Sequence, residues 1–258
     1  MNKQLFHRVK TFFRIGLLKT IIVNFRLLPI KQAIHLPIIV TRATIFESLS
    51  GNVVLKKVGF GIIRIGTNHT DLFSWNGNKS ILNIKGKLFI GGFTQFGVGC
   101  SIIVDENSEL HIGGNIASFG ANNKIICRHK IVIGENLRTA WDVQIFDTNF
   151  HYIKNIENGR VVRREKEVII GKNNWFGNRC TIMPGTKTND FFIAASNSLC
   201  NKDYTESVPT HSLVAGQPAK LIKQNVVRVL DKEEKEISQA FMKQNSDVLF
   251  VDPGPRSR

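Results

Sequence analysis

The central part of the chain repeats its hydrophobic positions every six residues. From residue 170 the positions at this interval are apolar except for one threonine: Ile170, Phe176, Ile182, Thr188, Ala194 and Cys200. Four positions after successive members of this series stand mostly small residues: Asn174, Cys180, Thr186, Phe192 and Ser198. An α-helix repeats near 3.6 residues and a strand near 2, so neither explains a sustained period of six. The pattern predicts short strands separated by corners, three to a coil, stacked as a β-helix.

The same interval extends upstream of residue 170. Three further positions keep it, and they are Ile133, Thr139 and Ile145. Ile-Gly pairs recur at residues 90–91, 112–113, 133–134 and 170–171. We expect the aliphatic side chains to fill the interior of the coil and the glycines to permit tight corners. The sequence therefore predicts an all-β solenoid over residues 47–223, with caps on its ends.

Residues 1–46 contain eight basic residues and no Asp or Glu. The spacing of Lys3, His7, Lys10 and Arg14 places them on one face of a helix, with apolar residues opposite at Leu5, Val9 and Phe12. We predict a basic amphipathic helical arm. Either it lies in an anionic membrane interface through residues 1–30, or it packs across the end of the main domain. Charges interrupt every apolar run before the ~20 residues that a bilayer requires, so we expect no spanning helix here.

Three regions break the period of six. Residues 66–80 are polar and rich in turn formers, which predicts a loop or an irregular coil. Residues 151–167 are charged and contain a glycine turn, which predicts a loop inserted in a coil and projecting from it. Residues 231–245 begin with acidic residues and favour a helix. We therefore expect residues 224–258 to form a C-terminal helix and tail, the helix capping the last coil.

The net charge and the cysteine content of the chain limit the classes of function that it can have. The chain has 258 residues and a net charge of +15, which favours an anionic partner such as a lipid surface or a phosphorylated ligand. Four cysteines lie far apart without a CxxC pair, so we expect neither a metal site nor disulfides, and a cytoplasmic location. No aromatic-basic groove or known nucleic-acid motif is found, so we expect no nucleic-acid partner.

Three segments resemble the hexapeptide-repeat acyltransferases: VIIGKNNWFGNRCTIMPG (168–185), IAASNSLCNKD (193–203) and VAGQPAKLIK (214–223). The segment FDTNFHYI (146–153) resembles the catalytic segment of bacterial sugar and polysaccharide O-acetyltransferases. The resemblance covers roughly residues 60–223. It implies a left-handed parallel β-helix, usually trimeric, that moves an acetyl group from acetyl-CoA to a hydroxyl of a carbohydrate acceptor.

His151 is the candidate catalytic residue. It lies 24 residues before Trp175, which matches the spacing in the family that the sequence resembles. An imidazole with a pKa near 6.5 suits removal of a proton from an attacking hydroxyl at neutral pH. Without the resemblance, His151 reads as a surface-loop histidine. Asp147 would orient the imidazole or bind acceptor hydroxyls, or else form a simple turn, and Asn149 and Trp175 are candidates for the acceptor pocket.

The resemblance also implies contacts to coenzyme A from the last coils. The small residues that would admit its pantetheine arm are Asn178, Ala195 and Ser196. The polar and cationic residues that would meet its nucleotide and phosphates are Asn201, Lys202, Lys220 and Lys223. Asn178 stands where relatives often have serine or alanine, and Ser196 stands where alanine is usual, but both are small enough to admit the arm.

Other interpretations stay open on the sequence alone. A basic β-helix that docks to a membrane without catalysis is one, and an N-acyltransferase for an amino sugar is another. A zinc hydratase like the γ-type carbonic anhydrases is disfavoured, because the chain has no HxxxxH pair. Some family members hold the sugar with an acidic residue where this chain has Arg128 and His129. The identity of the acceptor is therefore not predicted.

Overall fold

A computed structural model of the chain describes residues 14–68, 78–244 and 246–251. The described chain forms two compact units, one that ends at Val226 and one that begins at Val227. Several sequence predictions lie outside the described residues: most of the loop at 66–80, and the helix faces formed by Lys3, Leu5, His7, Val9, Lys10 and Phe12.

The first unit consists of three sheets, which we call the first, second and third faces. The first face contains β1 (Ile38–Val40), β4 (Ile63–Asn68), β7 (Phe93–Gly97), β10 (Ile116–Phe119), β13 (Arg138–Thr139), β16 (Trp175–Phe176), β18 (Phe192–Ala194), β20 (Ser212–Ala215) and β21 (Lys220–Gln224). The second face contains β2 (Ile45–Leu49), β5 (Ile81–Ile84), β8 (Ser101–Val104), β11 (Lys124–Cys127), β14 (Gln144–Phe146), β17 (Thr181–Ile182) and β19 (Leu199–Cys200). The third face contains β3 (Asn52–Leu55), β6 (Lys87–Ile90), β9 (Glu109–Ile112), β12 (Lys130–Ile133) and β15 (Val168–Ile170).

As far as β17, successive strands visit the three faces in turn, and from β4 to β17 each pairs in parallel with the strand of the same face in the preceding coil. This is a three-sided parallel β-helix, which confirms the predicted solenoid. β21 runs antiparallel to β20 and ends the first face. We call the junction of the first and second faces the first corner, that of the second and third faces the second corner, and that of the third and first faces the third corner.

The interior of the coil explains the period of six. The two six-residue series between residues 170 and 200 are at most 4% exposed throughout. Thr188, the non-apolar member of the main series, accepts hydrogen bonds from the Gly171 N–H at 3.0 Å and the Asn174 carboxamide at 2.6 Å. The Asn174 Oδ1 atom accepts the Phe192 N–H at 2.7 Å. These buried polar groups are therefore paired inside the coil.

The glycines of the repeated Ile-Gly pairs stand at the third corner. A Cβ atom added to any of them would lie 2.5–2.7 Å from a backbone atom of the next coil; they are Gly91, Gly113, Gly134 and Gly171. None of the four has a positive φ, so they are needed for close packing rather than for an unusual turn. The left-handed conformation at this corner belongs to asparagines two residues later: Asn115, Asn136 and Asn173.

Two helices precede the coil, α1 (Leu17–Leu27) and α2 (Ile30–Ala33). The Asn24 side chain of α1 accepts the Ile38 N–H at 3.0 Å and donates to the Ile38 carbonyl at 2.7 Å. The outer edge of β1 is therefore covered by hydrogen-bonding side chains of the helix. The coil begins at β1, inside the segment 1–46 that the sequence analysis assigned to the arm, because these first strands lack the Ile-Gly signal.

The insertion at residues 151–167 forms an exposed antiparallel arm. Isolated bridges join Thr148 to Glu165 and Lys154 to Val161. At the tip, the Asn155 N–H donates to the Arg160 carbonyl at 2.8 Å. The loop that we predicted here is therefore a hairpin-like projection from the coil.

The second unit contains α3 (Asp231–Lys243), where the sequence favoured a helix. Its predicted role as a cap for the last coil stays a prediction. Among the described helices, none combines the length and hydropathy needed to span a bilayer.

Candidate active site

The insertion leaves the coil at the second corner, directly after Asp147. This side chain is fully buried, and its two carboxylate oxygens accept the N–H groups of Arg128 and His129, each at 2.8 Å. The Asp147 carbonyl accepts the N–H of Lys166 at 2.9 Å, which closes the base of the insertion. We expected Asp147 to face the acceptor, His151 or its own turn. Its carboxylate instead points into the coil, because the preceding corner presents two N–H groups that need an acceptor.

A tight turn holds His151 at the start of the insertion. Its N–H donates to the Asn149 carbonyl at 2.7 Å, across Phe150, which has a φ of +61°. A bond between residues two apart around a positive φ is a γ-turn, a strained conformation for an aromatic residue. The Thr148 hydroxyl accepts the Phe150 N–H at 3.0 Å, and Arg164 Nη1 donates to the Phe150 carbonyl at 3.1 Å. Strain sustained in this way is typical of functional sites.

The His151 side chain is exposed, and the imidazole has no hydrogen-bond or ion-pair partner within the described part of the chain. Asn149 is exposed as well, on the same turn. The imidazole nitrogens are therefore accessible to a molecule from outside. This arrangement fits a group that exchanges a proton with a substrate.

Arginines surround the turn. The Arg128 guanidinium lies 5.5 Å from the centre of the Phe150 ring and 3.4 Å from the Asp105 carboxylate. Arg164 lies over the Tyr152 ring at 4.9 Å and is hydrogen-bonded to Glu165. Partial burial raises the pKa of Glu165, but the Arg164 hydrogen bond and charge outweigh it and bring the pKa below its ordinary value. The Glu165 hydrogen bond in turn raises the pKa of Arg164. Arg164 therefore remains charged beside the turn.

Three of the predicted donor residues meet at the first corner. The Ser196 hydroxyl donates to the Asn178 side-chain oxygen, and the Asn197 N–H donates to the Asn178 carbonyl at 2.9 Å. Ala195 precedes Ser196 and donates its N–H to Val214 of the next coil. Successive coils are closely stacked at this corner. A Cβ atom on the neighbouring Gly177 would lie 2.7 Å from the backbone nitrogen of Ser196.

The remaining predicted donor residues lie at two places. Lys220 and Lys223 belong to β21, opposite Ala215 and Leu213 of β20, and both lysines are exposed. Lys202 and Asn201 lie instead at the second corner, in the next-to-last coil. The Lys202 amine is 5.3 Å from the centre of the Tyr204 ring, and the Asn201 N–H lies 3.4 Å from the Tyr204 hydroxyl.

The structure thus does not bring all the predicted site residues together. His151, Asn201 and Lys202 belong to the second corner, and the Asn178, Ala195 and Ser196 group belongs to the first. Trp175 lies on the first face between Arg138 and Ile193, with its side chain 36% exposed. The strands of the second face, which have two to five residues, lie between these two corners. Within one chain these two groups therefore occupy different edges of the coil.

Sequence reasoning did not identify the roles of Phe150 and Arg164. The positive φ of Phe150 carries no signal in the residue type, because aromatic residues rarely adopt it. Arg164 lies 14 residues from the carbonyl to which it donates, in a charged segment where one arginine is not distinguished from its neighbours.

The three-faced parallel coil confirms the predicted fold class, a left-handed parallel β-helix. The crystal structure of the polysialic-acid-specific acetyltransferase NeuO matches it with a TM-score of 0.51 at 19% identity, over 81% of this chain and 84% of that one. At that identity the likeness concerns the fold alone.

Sequence comparison finds named relatives, whereas no family model matches the chain. A Dictyostelium discoideum protein that carries an acetyltransferase name is 32% identical over 126 residues, covering 48% of this chain and 63% of the relative. The polysialic acid O-acetyltransferase of Neisseria meningitidis is 30% identical over 125 residues (46% and 57%). That of Escherichia coli O1:K1 is 28% identical over 127 residues (49% and 40%). The chain thus spans less than two thirds of each relative, and the resemblance to bacterial sugar O-acetyltransferases is confirmed.

Proposed function

We propose that this protein transfers an acetyl group from acetyl-CoA to a hydroxyl of a sugar or polysaccharide, with His151 as general base. The observation that carries the proposal is the imidazole of His151, which is exposed and held by a strained turn where an insertion interrupts the coil. The turn fixes the start of the insertion, so the imidazole is presented to solvent at a defined place. Relatives named as polysialic acid O-acetyltransferases support the reaction class.

The chemistry follows from the accessible imidazole. Acetyl-CoA supplies an acetyl group on a thioester. His151 accepts the proton of the acceptor hydroxyl while the oxygen forms a bond to the acetyl carbon. The imidazolium then returns the proton to the sulfur as the carbon–sulfur bond breaks. General base assistance of this kind contributes about 10²–10⁴ to the rate.

The first corner is the proposed place for the pantetheine arm. Asn178 and Ser196 offer an amide and a hydroxyl at a corner where Gly177 and Ala195 leave little bulk. The exposed amines of Lys220 and Lys223 on β21 would meet phosphates, with Asn201 and Lys202 as contacts from the second corner. These groups fit the chemistry of coenzyme A, which combines a neutral amide chain with anionic phosphates.

A trimer would complete the site. The second corner carries His151, and the first corner carries the donor group, on different edges of one coil. A neighbouring copy that sets its first corner beside the second corner of this chain would unite them. A homotrimer with three sites between subunits is therefore part of the proposal.

Replacement of His151 by alanine tests the mechanism. We expect His151→Ala to keep its circular dichroism and melting temperature while its turnover falls about 10²–10⁴-fold, because the imidazole is exposed and has no hydrogen-bond or ion-pair partner in the described chain. The assay follows thiol release from acetyl-CoA with polysialic acid, neutral oligosaccharides, amino sugars and sugar nucleotides as acceptors. NMR of the product distinguishes an ester from an amide.

His35→Ala is the matched control, because His35 is also exposed but lies beside α2, away from the insertion. It should retain full turnover. Near-normal turnover in His151→Ala would refute the general-base role, and an amide product would refute O-acetylation.

A further inference from the structure

Helix α1 exposes apolar residues although it also packs on the coil. Its buried side carries the core residues Val23 and Leu27, together with Thr20 and Asn24, whose side chains hydrogen-bond to the backbone of β1. Its outer side carries five large apolar residues, all 40–71% exposed: Leu17, Leu18, Ile21, Ile22 and Phe25. A surface helix ordinarily turns such residues inward. The apolar side of α1 is therefore available to a partner rather than to the core.

The five residues form one continuous face. At 100° per residue they occupy about 140° of the helix circumference, and no polar residue interrupts that arc. Ile30 and Ile34, in and directly after α2, are 71% and 60% exposed. We call Leu17, Leu18, Ile21, Ile22 and Phe25 the apolar face of α1. An exposed apolar area of a few hundred Å² or more marks an interaction surface.

The charge around this face has one sign. Arg26 and Lys31 are exposed beside the apolar residues, and Lys19 donates to the carbonyls of Arg42 and Thr44 at the flank. Residues 1–46 hold eight basic residues and no acidic residue. An apolar helix face beside cationic side chains is the pattern of helices that lie in an anionic lipid interface.

We propose that the apolar face of α1 docks the protein onto an anionic membrane surface. The apolar side chains enter the boundary between headgroups and acyl chains, while Arg26 and Lys31 meet the lipid phosphates. The sequence left both lipid binding by the arm and packing on the domain open. In the structure one side of α1 covers β1, and its apolar face is turned outward, where it is accessible to lipid.

A second copy of the chain is a poorer occupant of this face. Two copies placed face to face would bring two uniformly basic segments together, and like charges oppose such contact. A membrane that contains phosphatidylglycerol offers an apolar interior to the exposed side chains of α1 and a negative surface charge to the basic residues beside them. The docking proposal does not depend on the acetyl-transfer proposal, since it rests on different residues.

Leu18→Gln combined with Ile22→Gln tests the docking in the full-length protein. Both side chains point outward, so we expect the variant to keep the melting temperature of the wild type. Sedimentation with phosphatidylglycerol–phosphatidylethanolamine vesicles should show at least about a tenfold loss of partition. The wild type should bind phosphatidylcholine vesicles more weakly, and salt should weaken its binding to the anionic vesicles.

Met242→Gln combined with Phe250→Gln is the matched control, since both residues are exposed and apolar but lie in the second unit. It should bind vesicles as the wild type does. Absence of wild-type binding to anionic vesicles, or equal binding by the α1 variant, would overturn the proposal. If the α1 variant instead lowered the oligomeric state in light scattering without changing vesicle binding, the face would be a protein interface and the proposal wrong.

Discussion

The carboxylate of Asp147 accepts two backbone N–H groups from the preceding coil, and the side chain is fully buried. The same logic recurs at Asn123, whose side-chain oxygen accepts the Val143 N–H at 2.7 Å. In both cases a polar side chain inside a coil pairs with backbone groups that the corner leaves unpaired. Asp147 additionally precedes the turn that positions His151. Its part in the site is therefore to fix the base of the insertion.

Asp147→Asn should destabilise the protein by about 1–3 kcal/mol, because one carboxylate oxygen becomes an NH₂ group that faces a backbone N–H donor. Urea unfolding measures the change. Asp190→Asn is the control: its carboxylate also accepts a backbone N–H, from Lys172 at 2.7 Å, but at an exposed position. That variant should lose less than about 0.5 kcal/mol. Equal losses in the two variants would contradict the role assigned to Asp147.

At the scale of the strands and corners, stacking of successive coils sets the sequence requirements. Interior positions recur in columns, and the glycines of the third corner recur because backbone meets backbone there. Gly134 is one of these, with a would-be Cβ atom 2.7 Å from the Gly171 carbonyl carbon. Gly59 differs, since a Cβ atom there would have no neighbour within 4 Å. The two glycines therefore offer a direct comparison.

Gly134→Ala should lower the free energy of unfolding by about 1–3 kcal/mol, because the neighbouring coil must shift to admit the methyl group. Gly59→Ala should leave it unchanged or raise it by about 0.4–1 kcal/mol, through restriction of the unfolded chain. Chemical denaturation of both variants gives the comparison. A Gly134→Ala protein as stable as Gly59→Ala would show that the third corner is less tightly packed than described.

The sequence predicts those parts of the structure that depend on a pattern local in the chain, and it does not predict those that depend on the alignment of distant residues. The period of six predicted the coil, since each interior side chain repeats a local pattern that can be read along the chain. The position of Asp147 was not predictable in this way, because its partners are 18 and 19 residues away and only the stacked corner aligns them. The turn at Phe150 runs against the preference of its residue type. His151 was identified through the resemblance, whereas the geometry that holds it required coordinates.

At the scale of the whole molecule, the four cysteines lie in the interior of four different coils of the β-helix. Cys100, Cys127, Cys180 and Cys200 are all free and buried. Burial raises the pKa of Cys100 and of Cys200 to about 12, and it raises the pKa of Cys127 and Cys180 as well. Thiolate, the reactive form, is therefore suppressed at all four positions.

We expect all four thiols of the native protein to resist a disulfide reagent at about pH 8 and to react together when guanidinium unfolds the chain. Because each folded pKa is raised above the unfolded value of 9.0, the thiols favour folding below that pH. This contribution is lost as the pH rises from about 9 towards 12, so the free energy of unfolding should fall there. Mass spectrometry after timed labelling identifies which cysteine reacts. Labelling of Cys200 alone under native conditions would show that the last coils open independently, and the coil would then not unfold as one unit.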